Sequence, residues 1–187
     1  MNERETDEML AGRLQAGEDV AFDVLLERYQ RPVLNFVYRM LNDAGEAEDV
    51  AQEVFVKAYR HIHRFRMGSR WRFSTWLFQI ARNQCRDRYR YRRRRPVTPE
   101  DMRTGQAAEP AVAGDPYDQL ALRDTERMVA HAVSLLPEKQ RAVLVCSAYH
   151  GMTHAEIAQL TGCSERSVEA RLGRARESLR AHLARLK

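Results

Sequence analysis

The chain has 187 residues, 44% of them hydrophobic, with 31 Lys+Arg against 26 Asp+Glu for a formal charge of +5. That apolar share excludes a wholly disordered protein, and the length allows one domain or two small ones. A surplus of this size says nothing about nucleic acid until the charges are placed along the chain.

Thr6-Asp7-Glu8 can start a short helix that ends at Gly17. Asp19 can cap a second helix running to about Asn42. In it Phe22, Leu25, Leu26, Tyr29, Val33, Phe36, Val37, Met40 and Leu41 recur at spacings of three and four. Pro32 interrupts this stripe and predicts a kink. The acidic run from Asp43 to Glu48 suits the first turn of a third helix, whose inner face is Val50, Val54, Phe55, Ala58, Tyr59 and Ile62. A loop with Gly68 follows, and Ser74 or Thr75 can cap a fourth helix carrying Trp76, Leu77, Ile80 and Ala81.

The fourth helix ends in a basic run. Arg82, Arg86, Arg88, Arg90, Arg92, Arg93, Arg94 and Arg95 face a single acid, Asp87, for a net +7. Arginines without offsetting acids repel one another, so a polyanionic partner explains the run better than a solvated helix end does. Residues 96–117 then hold four of the six prolines and no apolar periodicity, which reads as a linker. Counted to Asp118, this stretch has Glu100, Asp101, Glu109, Asp115 and Asp118 against Arg103, a net charge of −4.

The helical pattern returns from about residue 118, with a helix from about Asp124 to Leu136 and Pro137 opening another. Thr153-His-Ala-Glu156 fits a capping box. Ala155, Ile157, Ala158 and Leu160 give the helix behind it an apolar face, and Thr161-Gly162-Cys163 is a tight turn. Ser164 can cap a last helix with Val168, Leu172, Ala175, Leu179 and Leu183 inward. Two helices joined by a short Gly-containing turn are a helix-turn-helix, whose second helix enters the major groove with its first residues. Here these include Glu165, Arg166, Ser167, Glu169, Ala170 and Arg171, with Arg174, Arg176 and Arg180 extending the basic side.

Strand signals are nearly absent, so the fold class is all-α: two small helical domains, 1–95 and 118–187, joined by a flexible acidic linker over 96–117. No apolar run reaches the roughly 18 residues that span a bilayer, and the acidic start MNERETDEML is no secretory signal. Cys85, Cys146 and Cys163 are odd in number and far apart, which supports neither disulfides nor a zinc site. With no P-loop, nucleophile elbow or metal-ligand set, the expectation is a reduced cytoplasmic protein with no catalytic chemistry, no cofactor, no metal and no small-molecule substrate.

Several strings together resemble one family. DVAQEVFVKAYRHIHRFR (49–66) and FSTWLFQIARNQCRDRYR (73–90) are similar to the core-binding and promoter-melting region of extracytoplasmic-function (ECF) sigma factors. LPEKQRAVLVCSAYHGMTHAEIAQLTGCSERSVEARLGRARESLR (136–180) resembles their C-terminal helix-turn-helix. The resemblance implies a promoter-specificity subunit that binds core RNA polymerase and promoter DNA and is held by an anti-sigma factor. It implies a polymerase-binding face of Asp49, Gln52, Glu53, Phe55 and Lys57. For the unpaired −10 strand it implies Trp71, Phe73 and Asn83, with Arg70, Arg72, Arg82, Arg86 and Arg88 on phosphates. Trp71 and Phe73 stand among arginines, so at least one of them is expected to be exposed, whereas Trp76 starts an apolar stripe and is expected in the core. For the −35 duplex it implies Ser164, Arg166, Ser167, Glu169, Arg171 and Arg174. The MGSRWRF loop is slightly longer than the family's. Glu169 stands where a Lys or Arg is expected, and a carboxylate there can accept from a cytosine amino group. The competing reading is a stand-alone helix-turn-helix regulator whose N-terminal half binds a ligand or another protein.

Overall fold

The computed structural model describes residues 5–66, 71–94 and 128–185, without the Arg93 side chain. Gly68, Arg70, Arg95, the 96–117 linker and the start of the helix expected from Asp124 lie outside the described residues. Every regular element among those described is a helix.

Helix α1 (Asp7–Gln15) is capped by Thr6, whose hydroxyl accepts the Met9 amide at 3.2 Å. Helix α2 (Val20–Leu41) continues through Pro32 and closes at Asn42, a left-handed residue with φ of 55°. Asn is one of the few non-glycine residues that adopt that conformation routinely. Asp19 does not cap α2; its carboxylate accepts the Tyr59 hydroxyl at 2.9 Å instead. Helix α3 (Ala44–Arg60) is capped by Asp43 on the Glu46 amide at 3.0 Å, and a short 3-10 turn, Ile62–Arg64, follows it. Helix α4 (Phe73–Arg94) begins before the expected Ser74 or Thr75 cap. The Phe73 amide donates to the Glu8 carboxylate at 3.1 Å, so the cap comes from α1, and Thr75 is buried.

In the second half, helical residues 128–134 (α5) lead to α6 (Glu138–His150), which starts behind Pro137 and ends at left-handed Gly151. Helix α7 (His154–Thr161) has the complete Thr153/Glu156 capping box and ends at Gly162 with φ of 65°. Ser164 caps α8 (Glu165–Ala184) by accepting the Ser167 amide at 3.3 Å.

Helices α1–α4 pack around Leu25, Val33, Phe36, Met40, Val54 and Leu77; α6–α8 pack around Val143, Ile157, Leu160, Val168 and Leu172. The two halves were expected to stand apart on a tether. Instead α2 packs on α6 and α4 on α7, and the buried residues of both halves form one continuous cluster. His150, at the end of α6, sits against the rings of Phe36 and Phe78, with centroids 5.7 and 4.5 Å away.

Candidate nucleic-acid interface

The helix-turn-helix follows from its sequence. Val168, Leu172 and Ala175 are buried on one side of α8, so 3.6-residue periodicity turns Arg166, Glu169, Ala170, Arg174, Arg176 and Arg180 to solvent. Ser167 is half-buried, its hydroxyl 2.9 Å from that of Ser164. Arg171 is also half-buried: its guanidinium donates to the Cys163 sulfur at 3.3 Å, across the turn. Of the expected duplex-reading residues, Ser164, Arg166, Glu169 and Arg174 stand exposed on one surface, and Arg171 is folded back toward the turn.

The basic tail of α4 is less bare than its local sequence suggests. Arg92 lies between Asp43 and Glu46 at 3.4 and 2.5 Å, Arg88 lies 4.0 Å from Glu53, and Arg90 lies 3.9 Å from Asp87. Three of the offsetting carboxylates belong to α3 or its cap and are up to 49 positions away in sequence. Arg86 is half-buried, its Nε without a protein partner. Arg82, expected on phosphate, is only 8% exposed. It donates to the Leu160 carbonyl at 3.5 Å and lies 3.8 Å from Glu138, so in this arrangement the helix-turn-helix half covers it.

At the start of α4, Phe73 is in the core, within 5.7 Å of the rings of Tyr29, Phe65 and Trp76. Trp76 is half-buried on that stack, and the stack is what removes Phe73 from the surface. Trp71 and Asn83 are half-buried and Arg72 is exposed. Trp71, Arg72 and Gln79 line an open cleft whose opposite wall is Ala155, Glu156, Gln159 and the start of α8, with Arg72 3.4 Å from Glu156.

On α3, Asp49, Gln52, Glu53 and Lys57 are exposed, whereas Phe55 is 9% exposed and meets the Phe22 ring edge-to-face at 6.5 Å. Phe55 is therefore a core residue. The apolar group on the outer face is Val56, 49% exposed, in the i, i+3, i+4, i+7 row Asp49, Gln52, Glu53, Val56. That spacing was available in the sequence. Gln84 ties this face to α4: it donates to Glu53 at 2.6 Å and accepts from Lys57.

The residue that gave least local warning is Arg141. Its guanidinium, 7% exposed, donates to the carbonyls of Met40, Ser134 and Leu136, the last at 3.0 Å, and to the Tyr89 hydroxyl. Burial lowers its pKa, while Tyr89 and Glu138 act to raise it. Burial also pushes the thiols of Cys85 and Cys146 up to about 12, which leaves them protonated and unreactive. Among the described residues no group of His, Cys, Asp and Glu could hold a metal, and no helix is long and apolar enough to cross a membrane.

Comparison with known proteins agrees with this layout. Sigma-70 region 2 matches residues 25–95, and sigma-70 region 4 matches residues 126–179. The chain is 36% identical over 181 residues to the RNA polymerase sigma-H factor of Pseudomonas aeruginosa, covering 94% of this chain and 93% of that one. It is 32% identical over 186 residues to the ECF RNA polymerase sigma-E factor of Escherichia coli, covering 96% and 95%. Among solved structures, CnrH in complex with the cytosolic domain of CnrY is similar with a TM-score of 0.71 at 29% identity, over 96% of this chain and 98% of that one. The sigma factor RpoE of Bartonella quintana, in complex with the anti-sigma factor NepR, gives 0.67 at 26% identity, over 87% and 96%. The match on the N-terminal half sets aside the stand-alone regulator, since that half is itself a sigma region. The chain belongs to the ECF sigma factors of the sigma-70 family, non-enzymatic initiation factors of RNA polymerase.

Proposed function

We propose that this sigma factor grips core RNA polymerase with the exposed face of α3, reads the −35 duplex with α8, and holds the unpaired −10 strand near Trp71 and Asn83. It would act in the cytoplasm with the polymerase, and an anti-sigma factor would hold it inactive. The observation that carries the reading is α8, which buries Val168, Leu172 and Ala175 and presents Arg166, Glu169 and Arg174 together at the mouth of a helix-turn-helix. On α3, acids and an amide around Val56 suit a basic polymerase helix.

The closed packing of the two halves bears on how this works. Sites about 25 base pairs apart are separated by ~85 Å of duplex at 3.4 Å per step. A compact chain of this size has a radius of gyration of only about 16 Å. The 33 residues from 95 to 127 give a fully extended length of at most ~120 Å. We therefore assign the closed arrangement to the factor off DNA, and an opened one to the initiating complex. CnrH and RpoE, similar over both halves, are each bound to a partner, which supports an anti-sigma factor as the holder here. Transcription in vitro from a randomised promoter library, with core polymerase added, tests the whole reading. Selected −35 and −10 motifs are expected; a library that emerges unselected would refute it.

A further inference from the structure

The connection from Phe65 to Phe73 carries Trp71, the aromatic residue proposed above to meet the −10 strand. Its two ends are held by the same short helix. From α1, the Gln15 side-chain amide donates to the Ile62 carbonyl at 2.8 Å and to the Phe65 carbonyl at 2.6 Å. Two turns earlier, Glu8 accepts the Phe73 amide at 3.1 Å and so caps α4. Two carbonyls at one end and one amide at the other are thereby fixed to a single rigid element. The cap is needed because Arg72, the residue before α4, offers no side-chain acceptor for a free helix amide. The ends are clamped a second time by the Phe65, Phe73, Trp76 and Tyr29 ring stack. Hydrogen bonds from α1 thus anchor Phe65 before Trp71 and Phe73 two residues after it.

We propose that Gln15 and Glu8 are positioning residues for −10 selection, fixing where Trp71 stands through main-chain hydrogen bonds rather than by touching DNA. The proposal rests on the assignment of Trp71 to the −10 strand. Losing one such bond is worth about two- to tenfold in a preference that depends on the placement it enforces. Loss at either end of the connection should give the same phenotype, because each bond fixes one end of the same short span.

The experiment uses holoenzyme assembled from core polymerase and the full chain, transcribing a promoter library randomised at both elements, with transcripts sequenced. Gln15→Leu and Glu8→Ala are each expected to flatten the −10 preference about two- to tenfold while leaving the −35 preference unchanged. Glu8→Gln, which retains an acceptor, should restore most of it. Trp71→Ala serves as the reference. If Trp71→Ala shifts the −10 profile and neither α1 variant does, positioning by α1 is wrong and the assignment of Trp71 stands. If none of the three shifts it, both ideas fall. Equal losses at −10 and −35, in step with a lowered Tm, would reduce Gln15 and Glu8 to structural residues and overturn the proposal.

Discussion

Arg141 on α6 donates to the carbonyl of Met40 in the last turn of α2, 101 positions earlier in the chain. The last carbonyls of a helix have no partner within it and carry the negative end of its dipole. A buried guanidinium placed there, with Tyr89 and the carbonyls of Ser134 and Leu136 taking its other N–H groups, latches the helix-turn-helix half onto the first half. Arg141→Ala should leave several acceptors unsatisfied and weaken the docking by about 2–3 kcal/mol. Fluorescence energy transfer between dyes on α3 and α8 should fall. An unchanged transfer efficiency would show that the apolar contact suffices alone.

Docking should also depend on pH through His150. Burial beside Phe36 and Phe78, with the charge of Arg39 adding to it, lowers this imidazole from 6.5 to about 4. The docked state therefore prefers the neutral ring. Its stability is complete above about pH 6.5 and is lost as pH falls from there through 4, by ~3 kcal/mol at most. Compactness measured by small-angle scattering across that window should drop in the native chain and much less in His150→Phe. The same drop in both would place the titration elsewhere.

On α3, exposure separates two effects that one motif combines. Val56→Asp should weaken core-polymerase binding by about 1–3 kcal/mol with little change in Tm, since Val56 is exposed. Phe55→Ala should lower stability by ~3 kcal/mol, because the ring is in the core. Titration of core polymerase alongside thermal melting checks both, and loss of binding in Phe55→Ala at full stability would contradict this division.

In α8, Arg166 and Arg174 are exposed while Arg171 donates to Cys163. Arg171→Ala should cost roughly 1–3 kcal/mol at selected −35 sequences if the side chain swings out to a base. A uniform loss on all duplexes, with a salt slope shallower by about one, would mark it as a phosphate contact.

Gly162→Ala isolates the turn. The φ of 65° disfavours any side chain, yet an added Cβ would meet nothing within 4 Å. The cost is then conformational alone, about 1 kcal/mol, read as a lowered Tm. A loss several times larger would mean that the turn cannot adapt around the new residue.

Local chemistry was readable where the relevant partners are near in sequence. The Thr153/Glu156 box, the Ser164 cap, Gly162 and the apolar stripe of α8 are all interactions within a few residues, so spacing and residue type were enough for the helix-turn-helix. The same holds for the four-helix content of the first half. Spacing failed where distant residues answer each other. Arg92 looked unpaired until α3 brought Asp43 and Glu46 to it, Glu8 took the capping role expected of Ser74 or Thr75, and Phe73 went inward; Phe55 is inward as its spacing on α3 predicted, not on the polymerase-binding face that the resemblance implied.

The amino-acid order by itself determined the helices, the caps at Thr6, Thr153 and Ser164, and the family, because periodicity, capping and turn geometry act over one or two turns. Only the tertiary structure decided that the two halves share a core, that Arg82 and Arg141 are buried between them, and that α1 holds the chain on both sides of Trp71. Those outcomes depend on which apolar faces meet and which buried carbonyls need a donor, and such pairings cross tens of residues that no local pattern records.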